Sequence, residues 1–282
     1  MVALLGLVVA VIFFTILWWV SLRLQNSSIA DVGWGPGILV IGLTYYFVSG
    51  GYPLRAHLTL ALLAIWAIRL AAHLANRNRL EGEDFRYVRW RDEYEDSWWW
   101  VSYPKVFLLQ AVIAWVVSLP IYFAIVSLVP SELNLFDYLG VIAVVVGLFF
   151  ESVGDEQLRR FRADRLNKGK VLDTGLWRYT RHPNYFGEAL LWWGFGLIGV
   201  ATGGVPGLLG PAILTYLLIY VSGVKMLETF LIGKQGYIQY VGRTPAFMPL
   251  PPHVRVKLLE LLRKNVQFGS EAKKQPPKRR YY

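Results

Sequence analysis

The chain has 282 residues, of which 55% are hydrophobic and 15% aromatic, and it contains no cysteine. This composition is typical of polytopic membrane proteins rather than of soluble domains. The lack of cysteine excludes disulfides, thiolate metal sites and a cysteine nucleophile. The net charge of +10 is compatible with nucleic-acid binding, but the positions of the charges favour another origin.

Seven apolar segments follow one another along the chain, and most approach the roughly 20 residues that cross a bilayer core of about 30 Å. They predict an all-α membrane protein with seven transmembrane helices. The first turns of the second segment contain Asp31, Pro36 and three glycines, so we expect these turns to be irregular or to lie at the membrane interface. The first segment lacks the features of a cleaved signal peptide and is interpreted as an uncleaved anchor. The segments are residues 2–21, 29–49, 56–75, 106–128, 136–153, 186–203 and 207–227.

The basic residues are distributed unevenly between the alternate loops. With seven spans, the loops 22–28, 76–105 and 154–185 and the segment from residue 225 share one side and hold nearly all of the 29 Lys and Arg residues. The opposite side has only Arg55. Because basic loops remain in the cytoplasm, we expect the N-terminus outside, the C-terminus in the cytoplasm and no nucleic-acid partner.

We expect one membrane domain, residues 1–264, without an internal repeat. Residues 265–282 are polar, basic and proline-containing, and this predicts a disordered tail that contacts anionic membrane lipids. The stretch GFGLIG, residues 194–199, matches a dinucleotide-binding fingerprint. It lies inside an apolar segment rather than after a strand, so close helix packing by small residues is the favoured interpretation.

The stretch GLWRYTRHPNYFGEALLWWG, residues 175–194, places many hydrogen-bonding side chains directly before an apolar run. Pro183 fits the first turn of a helix, and a helix N-terminus attracts anions. Guanidinium groups suit phosphates, and carboxylates and amides suit ribose hydroxyls or a carboxamide. We interpret the region as a site for a polyanionic nucleotide at the membrane surface.

Anchoring to lipid headgroups is the alternative, and it explains the Arg and Lys residues well. It does not explain His182, Asn184 and Glu188, because a glutamate that enters an apolar helix is costly and points to function. Asp155, Arg159 and Arg162 share a helix face at the end of the fifth segment. The candidate cofactor residues here are Asp155, Arg159, Arg162, Lys170, Arg178, Tyr179, Arg181, His182, Asn184, Tyr185 and Glu188.

This stretch resembles the C-terminal domain of the steroid 5-alpha-reductase superfamily, in particular its bacterial branch of unknown function. The resemblance covers most of the chain, most specifically residues 151–194 and more loosely KMLETFLIGKQGYIQYVGRTPAFMP, residues 225–249. It implies a seven-span fold in a bacterial inner membrane and NADPH bound from the cytosol, without a metal. The implied reaction is hydride transfer to the β-carbon of an apolar, steroid- or isoprenoid-like enone that arrives through the bilayer.

The resemblance also implies roles for residues outside the loop. It adds Lys225, Tyr240 and Arg243 in the closing segment to the cofactor set. It further adds three arginines after the third segment as partners of the adenosine phosphate. These arginines are Arg69, Arg77 and Arg79.

The catalytic pair departs from the family pattern. Steroid reductases use a Glu in span two and a Tyr in span three to polarise the substrate carbonyl, whereas this chain has Asp31 and Trp66 at the similar positions. An indole N–H donates a hydrogen bond but no proton at a useful pH. His73, one turn after Arg69, is a candidate substitute. Asp31 equally fits an N-cap before Gly33, and His73 equally fits a helix-end histidine bonded to backbone.

Two other functions remain open. Membrane methyltransferases of isoprenylcysteine carboxylates share the RYxRHPxYxG core and bind S-adenosylmethionine. Glu188 directly after Gly187, the single Glu228 and the Arg-rich loops favour a reductase that binds NADPH. A lipid-binding protein without enzymatic activity would tolerate the loss of Asn184 and Glu188.

Overall fold

A computed structural model describes residues 1–51, 53–251 and 254 of the protein. All regular elements of this part are helical, which confirms the all-α expectation. The described chain divides into two compact units, the first formed by Met1–Leu148 and Ala189–Leu217 and the second by Phe149–Glu188 and the described residues from Leu218 onward. The single domain of residues 1–264 stays a prediction, and the expected tail, residues 265–282, lies outside the described residues.

Thirteen α-helices follow one another in the described part. Short 3-10 turns at Glu95–Ser97, Arg165–Asn167, Gly175–Arg178 and Val205–Leu208 and π-helical segments at Tyr103–Leu108 and Leu217–Val221 link several of them. The helices are α1 (Val2–Leu24), α2 (Ile29–Val32), α3 (Trp34–Ser49), α4 (Leu54–Glu81), α5 (Phe85–Tyr94), α6 (Trp98–Ser102), α7 (Leu109–Val117), α8 (Leu119–Val126), α9 (Leu135–Ala163), α10 (Pro183–Val200), α11 (Leu209–Tyr216), α12 (Val224–Leu231) and α13 (Tyr237–Arg243).

The first unit is a bundle in which α3 packs against α1 and α4, and α7 and α8 join them. Helix α1 packs into the bundle through one face, on which it buries Gly6, Ala10 and Phe14. Its other face exposes a stripe of large apolar side chains, as expected of a helix that faces lipid. The stripe consists of Leu4, Val8, Ile12, Ile16 and Trp19.

Six helical segments of the described chain are long and apolar enough to cross a membrane. The protein is therefore an integral, multi-pass membrane protein. The segments are Val2–Leu24, Ile29–Ser49, Leu54–Glu81, Phe85–Val117, Leu135–Ala163 and Val205–Leu231. Helix α10, the sixth predicted span, is not one of them, because its first turns carry Asn184 and Glu188.

The fourth span differs from its predicted position at residues 106–128. The expected loop 76–105 is largely helical, since α4 continues to Glu81 and α5 begins at Phe85. Asp84 caps α5 by accepting a hydrogen bond from the backbone N–H of Arg86 at 3.0 Å. Charged and aromatic residues therefore form a capped helix where the composition predicts a loop.

Two local expectations agree with the fold. The second span begins irregularly, because the short helix α2 ends at Gly33 before α3 begins. The GFGLIG stretch lies within α10, where a side chain on Gly194 would place its Cβ 2.6 Å from the carbonyl oxygen of Gly140. This contact confirms close helix packing by small residues.

Arg55, the single basic residue of its side in the sequence, is wholly buried in the first unit. Its Nε donates to Asp137 Oδ1 at 2.7 Å, and its other nitrogens donate to the carbonyl oxygens of Pro130 and Glu132 at 2.6 and 2.8 Å. Every part of the guanidinium is thus used to join the start of α4 to the start of α9.

Candidate functional site

The second unit brings the end of α9 against the start of α10. Gly154 allows this approach, because a Cβ at that position would lie 3.1 Å from both the backbone nitrogen of Asn184 and the ring of Pro183. The Asn184 side chain then donates from Nδ2 to Asp155 Oδ1 at 3.0 Å. Two residues 29 positions apart, both predicted to bind the cofactor, therefore contact each other.

Three acidic side chains are buried along these two helices. Glu151 and Asp155 lie one turn apart on α9, and Glu188 lies one turn after Asn184 on α10; their exposed fractions are 3%, 8% and 8%. Buried carboxylates need hydrogen-bond donors. Each of these carboxylates has an interaction within the protein, and carboxylate oxygens accept hydrogen bonds from hydroxyl or amide groups.

The last turns of α9 and the connection from α9 to α10 present basic residues to solvent. Arg159 is exposed and pairs with Glu156, its Nε lying 2.6 Å from Oε2. Arg162, Lys170 and Arg178 are also exposed, and so is Tyr179. The structure therefore places the predicted phosphate ligands of the loop on a solvent-facing surface of the second unit.

The loop itself is held by hydrogen bonds to α9. The indole N–H of Trp177 donates to the carbonyl oxygen of Gly154 at 3.1 Å. The backbone N–H of Leu176 donates to Gln157 Oε1 at 3.0 Å. Sequence reasoning missed both Gln157 and Trp177, since nothing in their residue types marks a position that fixes a loop.

Arg181 stabilises the closing segment of the chain. Its Nε donates to Glu228 Oε1 at 2.7 Å, and its side chain also donates to the carbonyl oxygen of Thr244. Its backbone N–H donates to the carbonyl oxygen of Pro245 at 2.9 Å. The guanidinium of Arg181 is thus used within the protein.

Two further predicted cofactor residues hold the same segment in place. The Tyr240 hydroxyl donates to the carbonyl oxygen of Trp177 at 2.5 Å, and Arg243 pairs with Asp173. Lys225, also predicted to bind the cofactor, is exposed on α12. Tyr240 and Arg243 therefore connect α13 to the loop that precedes α10.

His182 is 2% exposed, and its ring stacks on Tyr185 with an angle of 10° between the planes. Its Nε2 lies 3.4 Å from Glu228 Oε1. Burial lowers the pKa of His182, against the opposing effect of the Glu228 carboxylate. The imidazole is consequently neutral at physiological pH.

Some buried polar atoms of this unit have no hydrogen-bond partner in the described part of the chain. Asn184 Oδ1 is such an atom, whereas His182 Nε2 and the Tyr237 hydroxyl lie near the Glu228 carboxylate without a hydrogen bond of standard geometry. Such atoms are rare in folded proteins and call for an explanation, of which a bound ligand is one. Tyr237 belongs to the closing segment of residues 225–249, in which the sequence resemblance assigns roles to Lys225, Tyr240 and Arg243 but not to Tyr237.

In the first unit, Asp31 is the centre of a hydrogen-bonded group. Tyr87 donates its hydroxyl to Asp31 Oδ1 at 2.7 Å, Arg86 donates to Oδ2 at 2.9 Å, and Gln110 donates to Oδ1 at 3.3 Å. Sequence reasoning missed all three partners, because they come from the segment interpreted as a loop. Asp31 therefore has a phenol beside it even though Trp66 stands at the family's Tyr position.

The predicted residues of α4 lie along one side of the helix. Arg69, His73 and Arg77 follow at intervals of four residues and are half-buried, whereas Arg79 is exposed. Arg77 lies 3.9 Å from Asp84. Burial tends to raise the pKa of Asp84, but hydrogen bonds from Arg86 outweigh it and hold that pKa below its ordinary value.

Trp66 is wholly buried and meets Trp192 edge to face, with 5.1 Å between the ring centres. In the described residues, no group of three or more His, Asp or Glu side chains is arranged to hold a metal ion.

Comparison with known proteins assigns the chain to a family. Residues 17–244 match the family described as "Protein of unknown function (DUF1295)". An uncharacterized protein of the fission yeast Schizosaccharomyces pombe is 25% identical over 219 residues, which cover 69% of this chain and 63% of the yeast protein. The chain thus spans less than two thirds of that relative's length. No solved structure matches the chain.

Proposed function

The chain belongs to the DUF1295 family, which lies within the steroid 5-alpha-reductase-like superfamily, and on this premise we propose that it is an NADPH-dependent membrane reductase. The proposed substrate is an apolar, steroid- or isoprenoid-like enone from the bilayer. The proposed reaction reduces the carbon–carbon double bond conjugated to the ketone.

The contact between Asn184 and Asp155 carries this proposal. The Nδ2 group of Asn184 is held by Asp155, so the side-chain amide is oriented, while its buried Oδ1 has no hydrogen-bond partner in the described chain. An oriented amide oxygen of this kind suits a ribose hydroxyl or a carboxamide N–H. The carboxylates of Asp155 and Glu188 add acceptors of the kind that ribose hydroxyls require.

The charge of the neighbouring loop also supports a dinucleotide. Arg159, Arg162, Lys170 and Arg178 are exposed on the same unit and would hold the phosphates. S-adenosylmethionine carries no phosphate and would leave this basic surface without a role. We assign Arg181 and Tyr240 to positioning instead, because both side chains are buried and bonded within the protein. Arg159 and Arg243 are exposed and paired with Glu156 and Asp173, and a phosphate would have to displace these carboxylates.

NADPH, when bound, would supply the hydride for the double bond. We propose Asp31 and His73 as catalytic residues, together with Tyr87, whose phenol is oriented by its hydrogen bond to Asp31. The single O–H of Tyr87 is given to Asp31, so it would donate to a substrate carbonyl, on which charge develops, only after exchanging that hydrogen bond. The roles of Arg69, Arg77 and Arg79 in binding the adenosine phosphate rest on the sequence resemblance.

We further propose that α10 completes a seventh span next to the six apolar segments. Its second half is apolar, and the polar first turns would lie at the membrane surface. With this span the basic loops share the cytoplasmic side and the N-terminus is outside. A bacterial inner membrane is the proposed location.

Ligand-induced stabilisation of the purified protein in detergent tests the proposal. A ligand of the native state raises the melting temperature according to its concentration and affinity. We expect NADPH to stabilise the protein more than NADH, and S-adenosylmethionine to have no effect. Stabilisation by S-adenosylmethionine in place of NADPH would replace the reductase by the methyltransferase.

A matched pair of variants locates the binding site. Asn184→Ala should weaken NADPH binding on the order of tenfold, since one hydrogen bond to a ligand contributes about 1.4 kcal/mol. Asn167→Ala is the control, because Asn167 Nδ2 also donates one hydrogen bond of 3.0 Å, to the carbonyl oxygen of Phe161. Equal NADPH affinity in the two variants would show that Asn184 does not contact the cofactor.

A further inference from the structure

Three lysines are exposed on the second unit where the connection after α9 meets the segment after α12. Lys168 and Lys170 flank Gly169, whose carbonyl oxygen accepts a hydrogen bond from the backbone N–H of Gln235 at 3.2 Å. Lys234 directly precedes Gln235, and all three lysines are exposed. This hydrogen bond therefore brings together basic residues that lie far apart in the sequence.

The part of the connection that carries Lys168 and Lys170 is a defined turn. The backbone N–H of Lys170 donates to the carbonyl oxygen of Asn167 at 3.0 Å, and Asn167 Nδ2 donates to the carbonyl oxygen of Phe161 at 3.0 Å. Gly169 has a φ of +82°, a left-handed conformation that glycine adopts without strain. The backbone of the turn thus determines where the two lysines are presented.

A candidate membrane span ends next to these lysines. The apolar segment Val205–Leu231 ends just before Lys234, and the backbone N–H of Lys234 donates to the carbonyl oxygen of Leu231 at 3.0 Å. The ends of such a turn are less than about 7 Å apart, and the headgroup region on each side of a bilayer is about 5–7 Å thick. Because the long side chain of lysine extends further, the Lys234 ammonium is within reach of lipid headgroups when this segment crosses the bilayer.

Large apolar side chains are exposed close in the chain to the same lysines. Ile232 and Ile238 are 63% and 74% exposed, and Leu166 is 79% exposed. Tyr237 and Tyr240 are buried on the other side of α13, so Ile238 faces away from the protein. Aliphatic side chains that are exposed beside lysines are typical of segments at the boundary between headgroups and acyl chains.

The charge of this surface is positive. Among residues 164–170, three basic residues oppose one acidic residue. Residues 229–243 contain Lys234 and Arg243 and no acidic residue, and Arg243 is paired with Asp173. Excess positive charge next to a span attracts anionic phospholipids over about one Debye length.

We propose that Lys168 and Lys234, together with Leu166, Ile232 and Ile238, form a surface that binds the headgroups of anionic phospholipids at the membrane boundary. The lysines contact the lipid phosphates, and the aliphatic side chains contact the glycerol and upper acyl region. The inference goes beyond the proposed reaction, because neither lysine belongs to the residues proposed to bind the cofactor.

The double variant Lys168→Gln/Lys234→Gln tests the role of the charges. The full chain is titrated with phosphatidylglycerol or phosphatidylcholine, and bound lipids are counted by native mass spectrometry. The wild type should bind phosphatidylglycerol more tightly than phosphatidylcholine. The affinity for phosphatidylglycerol should fall about fivefold for each lysine removed, and the affinity for phosphatidylcholine should stay the same.

The matched control is Lys168→Arg/Lys234→Arg, which keeps both charges and should bind phosphatidylglycerol like the wild type. If the glutamine variant also binds phosphatidylglycerol like the wild type, the inference is wrong.

The position of Ile238 relative to the bilayer is the second readout. The natural chain has no cysteine, so Ile238→Cys can carry a single bimane fluorophore in nanodiscs that contain phosphatidylglycerol. A nitroxide on the lipid headgroup should quench this fluorophore strongly, and iodide in the water should quench it weakly. Strong quenching by iodide and none by the nitroxide would place Ile238 away from the bilayer and overturn the inference.

NADPH affinity separates this surface from the proposed cofactor site. In detergent, Lys168→Gln/Lys234→Gln should bind NADPH like the wild type. A loss of NADPH affinity with unchanged phosphatidylglycerol affinity would assign the lysines to the cofactor phosphates and overturn the inference. If neither protein binds NADPH and the glutamine variant loses phosphatidylglycerol affinity, the proposed function is wrong and the lipid surface stands.

Discussion

The side chain of Arg181, just before α10, binds the closing segment of the chain. The sequence places it in a cluster of groups suited to a nucleotide, and two residues of that cluster, Asp155 and Asn184, contact each other. The guanidinium of Arg181, however, contacts Glu228 and the carbonyl oxygen of Thr244. Residue type and spacing predict a site in this region, but the partners of Arg181 depend on contacts between residues 47 to 63 positions apart, which no local pattern encodes.

For Asp31, too, the sequence indicates the position but not the hydrogen-bond partners. Its place at the start of the second span marked it as a candidate, but its partners Arg86, Tyr87 and Gln110 could not be identified from the sequence. They come from a segment whose mixed charges indicated a loop. The sequence therefore gives no sign of the phenol beside Asp31, and it has Trp66 at the family's Tyr position.

His182 leads to a prediction for the pH dependence of stability. Its folded pKa lies below the ordinary value of 6.5, so the unfolded chain binds a proton more readily as the pH falls. Its contribution to stability is present above that ordinary value and is lost as the pH falls towards the lowered one. Glu228, Arg181 and Tyr185 are the neighbours that face the ring.

The melting temperature of the wild type should therefore drop between about pH 7.5 and about pH 5.5. In His182→Gln, which keeps a polar group but does not titrate, the drop should be smaller. Parallel profiles for the two proteins would show that His182 is not buried as a neutral ring.

At the scale of helices, the lengths of the apolar segments and the positions of small residues are the sequence features that predict the structure. The irregular start of the second span, the helix beginning at Pro183 and the packing role of GFGLIG all follow from local sequence. The extent of the fourth span does not, because α5 is rich in charged residues, and some of these find their partners in other parts of the fold. Arg91, for example, donates to Glu83 at 2.9 Å.

The contact between α9 and α10 is testable with one methyl group. Gly194→Ala would bring a Cβ within 2.6 Å of the Gly140 carbonyl oxygen and 2.7 Å of the Val144 backbone nitrogen, so the helices must separate. We expect a loss of about 1–3 kcal/mol in unfolding free energy, seen as a lower melting temperature.

Gly242→Ala is the matched control, since nothing lies within 4 Å of a Cβ at that helical position. There the added methyl group should leave stability unchanged or raise it by up to about 1 kcal/mol. If both variants melt at the wild-type temperature, α9 and α10 are not in close contact at Gly194.

For the whole molecule, the distribution of basic residues is the main evidence for orientation. Arg55, the exception on the outer side, is wholly buried with Asp137 and so is not a free loop charge. The orientation itself, like the seventh span, stays a prediction, because six helical segments of the described residues meet the length and apolarity of a span.

Cysteine labelling can settle the orientation, because the natural chain has no cysteine. Ser131→Cys lies in an exposed position of the loop expected outside, and Lys168→Cys lies in an exposed position of the loop expected in the cytoplasm. In intact cells a membrane-impermeant maleimide should label only Ser131→Cys, and both variants should react in detergent. The opposite pattern in cells would invert the topology, and labelling of both would contradict an odd number of spans between them.

The central claim is that the protein reduces an apolar lipid with hydride from NADPH. The most direct test incubates the purified protein with a lipid extract and NADPH deuterated at C4 of the nicotinamide, and follows the lipids by mass spectrometry. The account predicts a protein-dependent lipid product that carries deuterium on carbon and has one double bond fewer. Lipids that gain no deuterium, together with a labelled methyl group transferred from S-adenosylmethionine in a parallel reaction, would contradict it.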